Sequence, residues 1–174
     1  MTQSIEQQLK KILRDNFVLD NGRTIRQNLE GAVRYLYDCV DNFIQEYYLS
    51  YRPKEYKRTY DFQDSLYAED FIHAKVINNR IVLQVSFIPS MAYHWNLWND
   101  HKSYVPMLIN FGWRAEKLEQ RIGKVERFTR YDGYHIIEKA VRMFNARNPY
   151  GVYIALTDIE YEWEGESFQW GNYY

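Results

Sequence analysis

The stretch Thr24-Ile-Arg-Gln-Asn-Leu-Glu-Gly-Ala-Val-Arg-Tyr-Leu-Tyr-Asp-Cys-Val-Asp-Asn-Phe-Ile-Gln-Glu-Tyr-Tyr-Leu-Ser50 has the spacing of one long amphipathic helix. Its apolar side chains recur every three or four residues and share one face: Ile25, Leu29, Ala32, Val33, Leu36, Val40, Phe43, Ile44 and Tyr47. Thr24 and Gln27 form a capping box, and Pro53 disfavours helix at the residue before it. A helix of about 26 residues is roughly 40 Å long. Because that exceeds what a small core needs, we expect part of it to serve an assembly.

Local signals on either side of this helix predict a shorter helix and a hairpin. Ser4 and Gln7 form another capping box, which predicts a first helix over residues 4–15. After the long helix, residues 60–66 indicate a short turn or helix. Apolar residues then alternate over 72–77 and 81–87, and the turn-forming pair Asn78-Asn79 joins the two runs. This pattern predicts a β-hairpin that Pro89 ends.

The second half of the chain predicts two more helices. Aromatic segments at 91–98 and 104–113 are separated by the polar residues 99–103, and the second segment indicates a short helix with Pro106 in its first turn. A third helix is predicted over 133–146, with Asp132 as its N-cap.

Strand signals follow the third helix. Val152, Ile154 and Leu156 alternate with other residues and predict a strand. The tail 158–174 holds five acidic residues, six aromatic residues and no Lys or Arg. Either an edge strand with a free end or a flexible tail that orders on a partner fits this composition.

These elements predict an α+β fold, in which the long amphipathic helix and a shorter C-terminal helix pack on a small antiparallel β-sheet. At 174 residues the chain has the length of a single domain. We divide it into an N-terminal helical arm over 1–22, an α+β domain over 23–157 and an acidic aromatic C-terminal tail over 158–174.

Composition excludes several classes of protein. Twenty-two Lys and Arg against 23 Asp and Glu give a net charge of −1, so no overall positive field draws the chain to nucleic acid or membrane. No apolar run of about 18 residues predicts a membrane span, and the polar N-terminus lacks the pattern of a signal peptide. We therefore expect a soluble protein made in the cytosol. A single cysteine, Cys39, excludes an internal disulfide framework and a multi-cysteine zinc site.

Aromatic residues are the compositional anomaly. The chain has 17 Tyr, 9 Phe and 5 Trp, which make up 18% of it. Tyr and Trp are enriched at protein interfaces because one end of each side chain is apolar and the other polar. The composition favours an interface protein over the alternative, a tyrosine-rich core.

Signals of catalysis are weak. The sequence has no glycine-rich phosphate loop, no Gly-x-Ser-x-Gly turn and no His-Glu-x-x-His pair, so we expect no enzyme and no cofactor. Cys39 lies beside the apolar stripe and is expected to be inert packing. His94, Asp100 and His101 are the alternative: three candidate metal ligands within eight residues, although their spacing matches no regular pattern.

Two further clusters are candidate binding surfaces. Residues 114–130, the basic strip, hold six basic and three acidic residues, and either a solvated or inter-subunit face or a DNA contact fits them; the candidates are Lys117, Arg121, Lys124, Arg127 and Arg130. Tyrosine, tryptophan and arginine dominate binding hot spots, so the interface candidates are Tyr48, Tyr51, Arg52, Tyr56, Arg58, Trp95, Trp98, Trp163 and Trp170. The alternative for the tyrosine cluster is packing back on its own domain.

The order of these features resembles a known family. A long helix runs into Tyr48-x-x-Tyr51-x-Pro53-x-x-Tyr56-x-Arg58-Thr-x-Asp61-x-x-x-Ser65-Leu66 and is followed by a hairpin. Val105-Pro-Met-Leu-Ile-Asn-Phe-Gly112, a basic loop and a helix with Ile136-Ile-Glu-Lys-Ala-Val141-x-x-Phe144 come next. Over about residues 24–157 this order resembles the tail-completion and head–tail joining proteins of tailed bacteriophages. The tryptophan-rich insertion 90–103 and the acidic tail depart from it.

The resemblance implies a structural virion protein without catalytic activity. Such proteins form rings, often six-fold, at the neck or at the head-proximal end of the tail, after synthesis in the host cytoplasm. It implies that the partners are other copies of the chain, neighbouring connector and tail proteins, and DNA passing through a channel, with no membrane. Another virion component, such as a minor capsid or tail-associated protein, a small metal-dependent enzyme and a single-strand-binding module are the alternatives.

Overall fold

The computed structural model describes residues 4–15, 17–50, 60–67, 73–96, 101–114, 130–156, 160–163 and 166–169. Within these ranges the helices are α1 (Ile5–Arg14), α2 (Ile25–Ser50), α3 (Asp61–Asp64), α4 (Pro89–Ala92), α5 (Val105–Phe111) and α6 (Ile136–Arg147). The strands are β1 (Leu66–Tyr67), β2 (Lys75–Ile77), β3 (Arg80–Val82), β4 (Ser86–Phe87), β5 (Tyr93–Asn96), β6 (His101–Tyr104), β7 (Trp113–Arg114), β8 (Arg130–Tyr131), β9 (Glu160–Trp163) and β10 (Glu166–Gln169).

The predicted α+β fold is confirmed. In the described ranges every strand pairs antiparallel with one other strand, as β1–β4, β2–β3, β5–β6, β7–β8 and β9–β10. None of the helices in these ranges has both the length and the apolar composition needed to cross a lipid bilayer.

The two N-terminal helices begin at their predicted caps. The Ser4 hydroxyl accepts the Gln7 N–H, and the Gln7 side chain accepts the Ser4 N–H in return. Thr24 and Gln27 make the same reciprocal pair at 3.2 and 2.8 Å. Each box satisfies backbone donors that the first helical turn leaves without partners. The sequence prediction of both helices is confirmed, and the predicted end of α2 just before Pro53 falls in residues 51–59, outside the described ranges.

The core lies where α2 packs against α6. From α2 it takes Ala32, Cys39, Val40 and Ile44, and from α6 it takes Ile136, Ala140 and Phe144. Phe62, Leu66 and Ile109 close the cluster from α3, β1 and α5. Burying a side chain as large as Phe144 contributes about 2–3 kcal/mol to stability, and α2 and α6 supply seven of the ten buried residues of this cluster.

The predicted hairpin forms, but it is shorter than its sequence pattern. Asn78 and Asn79 adopt φ of 48° and 58°, the left-handed conformations that a two-residue hairpin turn requires. The prediction that the second strand runs through residue 87 is wrong, because β3 ends at Val82 and β4 pairs with β1 instead. The Phe87 ring stacks on the Phe62 ring, with 5.3 Å between the ring centroids. This contact with the core is favoured over a longer β2–β3 ladder.

Two other predictions of local structure are wrong, and one segment without a predicted structure forms a strand. Residues 101–103, which belong to the polar segment between the two aromatic segments, form β6 together with Tyr104 and pair with β5. Residues 152–156 are predicted to form a strand, but the side chains of Asn145, in α6, and of Asn148, its C-cap, take the place of a strand partner there. Asp132 was predicted to cap the third helix, but that helix begins at Ile136 after His135, whose φ is 56°. Its cap comes from Asn110, as described below.

The helix over 105–111 appears as predicted, and the tail, for which two forms were expected, contains a two-stranded hairpin. Pro106 lies in the first turn of α5, and Gly112 follows the helix with φ of 81°. In the tail, β9 pairs with β10 from Glu160↔Gln169 to Trp163↔Glu166. Of the two forms expected for the tail, the described residues therefore show the strand.

Candidate functional site

Asn110 joins α5 to the start of α6. The side chain is 1% exposed; its Oδ1 accepts the Ile137 N–H at 2.8 Å, and its Nδ2 donates to Glu138 Oε1 at 3.3 Å. The Tyr134 N–H donates to the Ile109 carbonyl oxygen at 2.7 Å. A side chain from a distant segment thus satisfies a helix N-terminus that its own N-cap, His135, leaves without a side-chain cap. Sequence reasoning missed this residue.

Two glycines bring the same segments into backbone contact. A Cβ on Gly112 would overlap the Tyr131 carbonyl oxygen and lie 2.6 Å from the Gly133 nitrogen. A Cβ on Gly133 would lie 2.7 Å from the Phe111 carbonyl carbon. Both glycines have positive φ, so neither the space nor the backbone conformation suits another residue.

This joint lies at the base of the basic strip. Directly beyond Gly112, Arg114 pairs with Arg130 in the short β7–β8 ladder, so the two ends of the strip lie side by side. Residues 115–129 lie outside the described ranges, and with them the candidates Lys117, Arg121, Lys124 and Arg127. The first and last residues of the strip therefore lie side by side, next to the joint between α5 and α6.

Tyr134 ties the same joint to the C-terminal half of α2. Its hydroxyl donates to Glu46 Oε1 at 2.8 Å, and its ring makes an edge contact with Tyr47 at 5.4 Å. Nζ of Lys139, a residue of α6, lies 3.4 Å from the centroid of the Tyr134 ring. Desolvation, followed by the hydrogen bond to Glu46 and the charge of that carboxylate, raises the pKa of Tyr134 to about 12.

Tyr48 is the one predicted tyrosine or arginine interface candidate that lies in the described ranges. Its ring makes edge contacts with Tyr60 at 5.2 Å and with Phe62 at 6.4 Å, and it packs on the core. The neighbouring Leu49 is 85% exposed. Tyr48 thus contacts its own domain, while Leu49 faces outward beside it. The remaining members, Tyr51, Arg52, Tyr56 and Arg58, lie outside the described residues.

For the tryptophan candidates in the described ranges, the structure shows which residue lies opposite each one in its hairpin. Trp95 lies opposite Lys102 in the β5–β6 ladder, and Trp163 lies opposite Glu166 in the β9–β10 ladder. Trp98 and Trp170 lie outside the described ranges. The structure therefore places two of the four tryptophans in separate hairpins.

Two of the three candidate metal ligands lie in the β5–β6 hairpin, and the third lies outside the described residues. His94 pairs with Ser103 and His101 with Asn96 in the β5–β6 ladder, whereas Asp100 lies outside the described residues. The part of the chain that is described contains no group of three or more His, Cys, Asp or Glu side chains able to hold a metal ion.

The other histidines each lie near a carboxylate. His73 Nδ1 is 3.6 Å from Glu30 Oε1, and His135 Nδ1 is 3.8 Å from Glu138 Oε1.

Cys39 is fully buried in the core between α2 and α6. Burial, and then the charge of Asp38, raise the pKa of the Cys39 thiol. Since the thiolate is the nucleophilic form, a raised pKa suits the packing role that its helical position predicts.

Several large apolar side chains of the N-terminal arm are exposed. Leu13 is the buried residue of α1, whereas Ile5 and Ile12, seven residues apart on one face, are 60% and 40% exposed. Phe17 and Val18, just after the helix, are 65% and 56% exposed. We call Ile5, Ile12, Phe17 and Val18 the arm surface.

Comparisons with protein families, with curated proteins and with solved structures find no match to this chain.

Proposed function

We propose that this chain is a self-assembling structural protein of a tailed-bacteriophage virion, which forms a ring at the neck or at the head-proximal end of the tail. In this proposal the ring joins head and tail, its subunits are copies of this chain with six-fold symmetry, and its other neighbours are connector and tail proteins. The protein acts through its surfaces, without a cofactor.

The arm surface is the observation that carries self-assembly. Scattered exposed apolar residues are normal on a soluble protein, but here four large ones lie within fourteen residues of one arm. Complete burial of such a side chain contributes about 1.5–3 kcal/mol, and because each of the four is already partly covered, a partner that covers the rest gains roughly half of that. The arm is therefore suited to a subunit interface.

The virion assignment depends on the resemblance in the order of elements. The segments that carry that resemblance correspond to α2, the β2–β3 hairpin, α5 and α6. The base of the basic strip is fixed between α5 and α6. A ring of such subunits would present several copies of the strip together, and that suits contact with DNA in a channel or with the next subunit.

Copy number tests the proposal directly. Quantitative mass spectrometry of purified phage particles counts this chain against the most abundant capsid protein. We expect roughly six or twelve copies per particle. Hundreds of copies would assign the chain to a shell or tube, and none would contradict the virion role.

A second measurement examines the isolated protein. Native mass spectrometry over a range of protein concentrations reports whether it forms a closed oligomer. A monomer at every concentration would contradict self-assembly without a template. Particle counts would still report on the virion role in that case.

A further inference from the structure

Residues 151–156, which we call the open edge, are held along one side by two asparagines. Asn148 Nδ2 donates to the Val152 carbonyl oxygen at 3.0 Å, and its Oδ1 accepts the Val152 N–H at 3.4 Å. Asn145 makes the same pair with Ile154, at 2.8 and 2.9 Å. The two side-chain amides thus pair with alternate residues as a neighbouring strand would.

The same segment is anchored to the domain by its side chains. Val152 and Ile154 pack against the core between α2 and α6. At the start of the segment, the Tyr150 ring fills the space beside Gly31. A Cβ on Gly31 would lie 2.8 Å from Cζ of Tyr150. The guanidinium of Arg23 lies 4.8 Å from the centre of that ring. The open edge is therefore held in place before any partner binds.

The opposite side of the segment faces away from α6. Among the described residues, the main chain of Tyr153 makes no hydrogen bond to another residue, and its side chain is 78% exposed. Residues of alternate parity along an extended segment direct their N–H and C=O groups to opposite sides. Tyr153 and Ala155 therefore present a short row of main-chain donors and acceptors outward, whereas Gly151, with φ of 68°, is not extended and does not contribute to it. Such a row is a template for an added strand.

Charge indicates what would bind there. The α6 helix that holds the open edge carries the exposed Arg142 and Arg147, and Arg23 covers its start. The hairpin β9–β10 contains Glu160, Glu162 and Glu166, and residues 158–174 contain no Lys or Arg. Opposite charges on the two sides favour their association and align them.

We infer that the open edge accepts the acidic hairpin β9–β10 of a second copy of this chain. Within the described residues β9 pairs only with β10, so each strand of the hairpin keeps an outer edge of its own. Every copy carries one acceptor and one donor at different places. Their contact is a head-to-tail one, and repeating it closes a ring or extends a filament. This inference rests on the proposed self-assembly and names the surface that performs it.

The first test changes one main-chain N–H. Tyr153→Pro removes the outward N–H, while the asparagine pairs on the other side remain. Tyr153→Thr is the matched control, because it removes the ring but keeps the N–H and suits a strand. We expect the proline variant to raise the dissociation constant of the oligomer by about tenfold or more, and the threonine variant by less than about threefold. Circular dichroism and thermal unfolding of both variants show whether the domain stays folded.

The second test distinguishes a contact between two copies of the chain from a contact within one copy. In a Cys39→Ala background, one protein carries Tyr153→Cys, and partners each carry one cysteine at a position of β9 or β10. Disulfide-linked dimers in the mixture, at positions of one register, are the expected result. A chain that carries both cysteines and forms only internal disulfides, with none in the mixture, would show that the hairpin folds back on its own edge and would overturn the inference.

The outcomes also separate this inference from the proposed function. An oligomer that persists unchanged in Tyr153→Pro, without cross-links, would exclude the open edge and leave self-assembly through another surface. Absence of any oligomer in the unchanged protein would count against both.

Discussion

At the scale of single residues, the joint between α5 and α6 combines a buried amide with two glycines. The Asn110 side chain supplies the hydrogen bond that the N-cap of α6, His135, does not make. Gly112 and Gly133 let the two backbone segments approach more closely than a Cβ atom would allow. A buried helix end without such partners would leave polar groups unsatisfied, which costs more than a hydrogen bond returns. The joint should therefore be sensitive to small changes.

Asn110→Ala removes the acceptor for the Ile137 N–H and leaves it buried. We expect the free energy of unfolding to fall by about 2–3 kcal/mol. Asn42→Ala, on the exposed face of α2, is the control and should change stability by less than about 0.5 kcal/mol. Urea unfolding monitored by fluorescence measures both, and equal effects would contradict the capping role.

Gly112→Ala separates backbone strain from steric overlap. Gly112 and Gly22 have similar φ, 81° and 77°, but a Cβ at Gly22 would meet nothing within 4 Å. We expect Gly22→Ala to cost about 1–2 kcal/mol from its left-handed conformation alone. Gly112→Ala should cost clearly more, because its Cβ overlaps the Tyr131 carbonyl oxygen. Unfolding curves that give the same loss for both would show that the contact relaxes freely.

The pKa of Tyr134 makes a pH-dependent contribution. Because the folded pKa, about 12, lies above the unfolded value of about 10, the neutral phenol is favoured in the folded state. Its stabilisation is fully present below pH about 10 and is lost as pH rises toward about 12. We expect Tyr134→Phe to be less stable than the unchanged protein at neutral pH. The difference should shrink across this interval in pH-dependent unfolding. A difference that stays constant up to pH 12 would show that Tyr134 acts through packing alone.

At the scale of elements, α1 and α2 differ in how much of their apolar face the domain covers. The α2 stripe meets α6 and the elements around it and contributes fully buried residues such as Cys39 and Ile44. The α1 stripe contributes Leu13, while Ile5 and Ile12 stay exposed. The first helix is therefore the element whose apolar face gains most from a partner.

Replacing Ile5 and Ile12 by Gln tests that difference. Both side chains are exposed, so we expect the melting temperature of the monomer to change little. If the arm surface is buried between subunits, the oligomer should weaken by about tenfold or more. Lys11→Gln, an exposed position of the same helix, serves as the control. Analytical ultracentrifugation measures the effect, and an unaltered oligomer would exclude the arm from the interface.

At the scale of the whole molecule, opposite charges lie in different regions. The strip 114–130 has six basic and three acidic residues, and the tail 158–174 has five acidic and no basic residues, although the net charge is only −1. The paired ends of the strip, Arg114 and Arg130, attach it beside α6. Such separation suits a subunit that meets its neighbours or DNA at defined places.

Charge reversal in the strip tests its role in the particle. Arg121→Glu with Lys124→Glu should disturb assembly or retention of packaged DNA, because repulsion replaces attraction at that surface. Arg34→Glu, an exposed reversal on α2, is the control for charge alone. Infectivity and the DNA content of particles are measured in a complementation assay. Unchanged infectivity of the double variant would exclude the strip from both roles.

Local chemistry was enough to predict much of the fold. The capping boxes at Ser4 and Thr24, the apolar period of the long helix and the Asn78-Asn79 turn all act within a few residues, and the structure shows each where it was predicted. The candidate site was harder to predict, because most of its residues were indicated by residue type alone and not by a local structural signal. Of them, Tyr48 packs on its own domain, and many others lie outside the described ranges.

The sequence by itself determined where α1, α2, α5 and the hairpin turn form, because caps, periodicity and turn residues are interactions between near neighbours. Only the tertiary structure decided that Asn110 caps a helix starting 26 residues later and that β4 pairs with β1. It also decided that Asn145 and Asn148 replace a strand beside 152–154. These interactions depend on which surfaces meet when the core closes. No local pattern of residues carries that information.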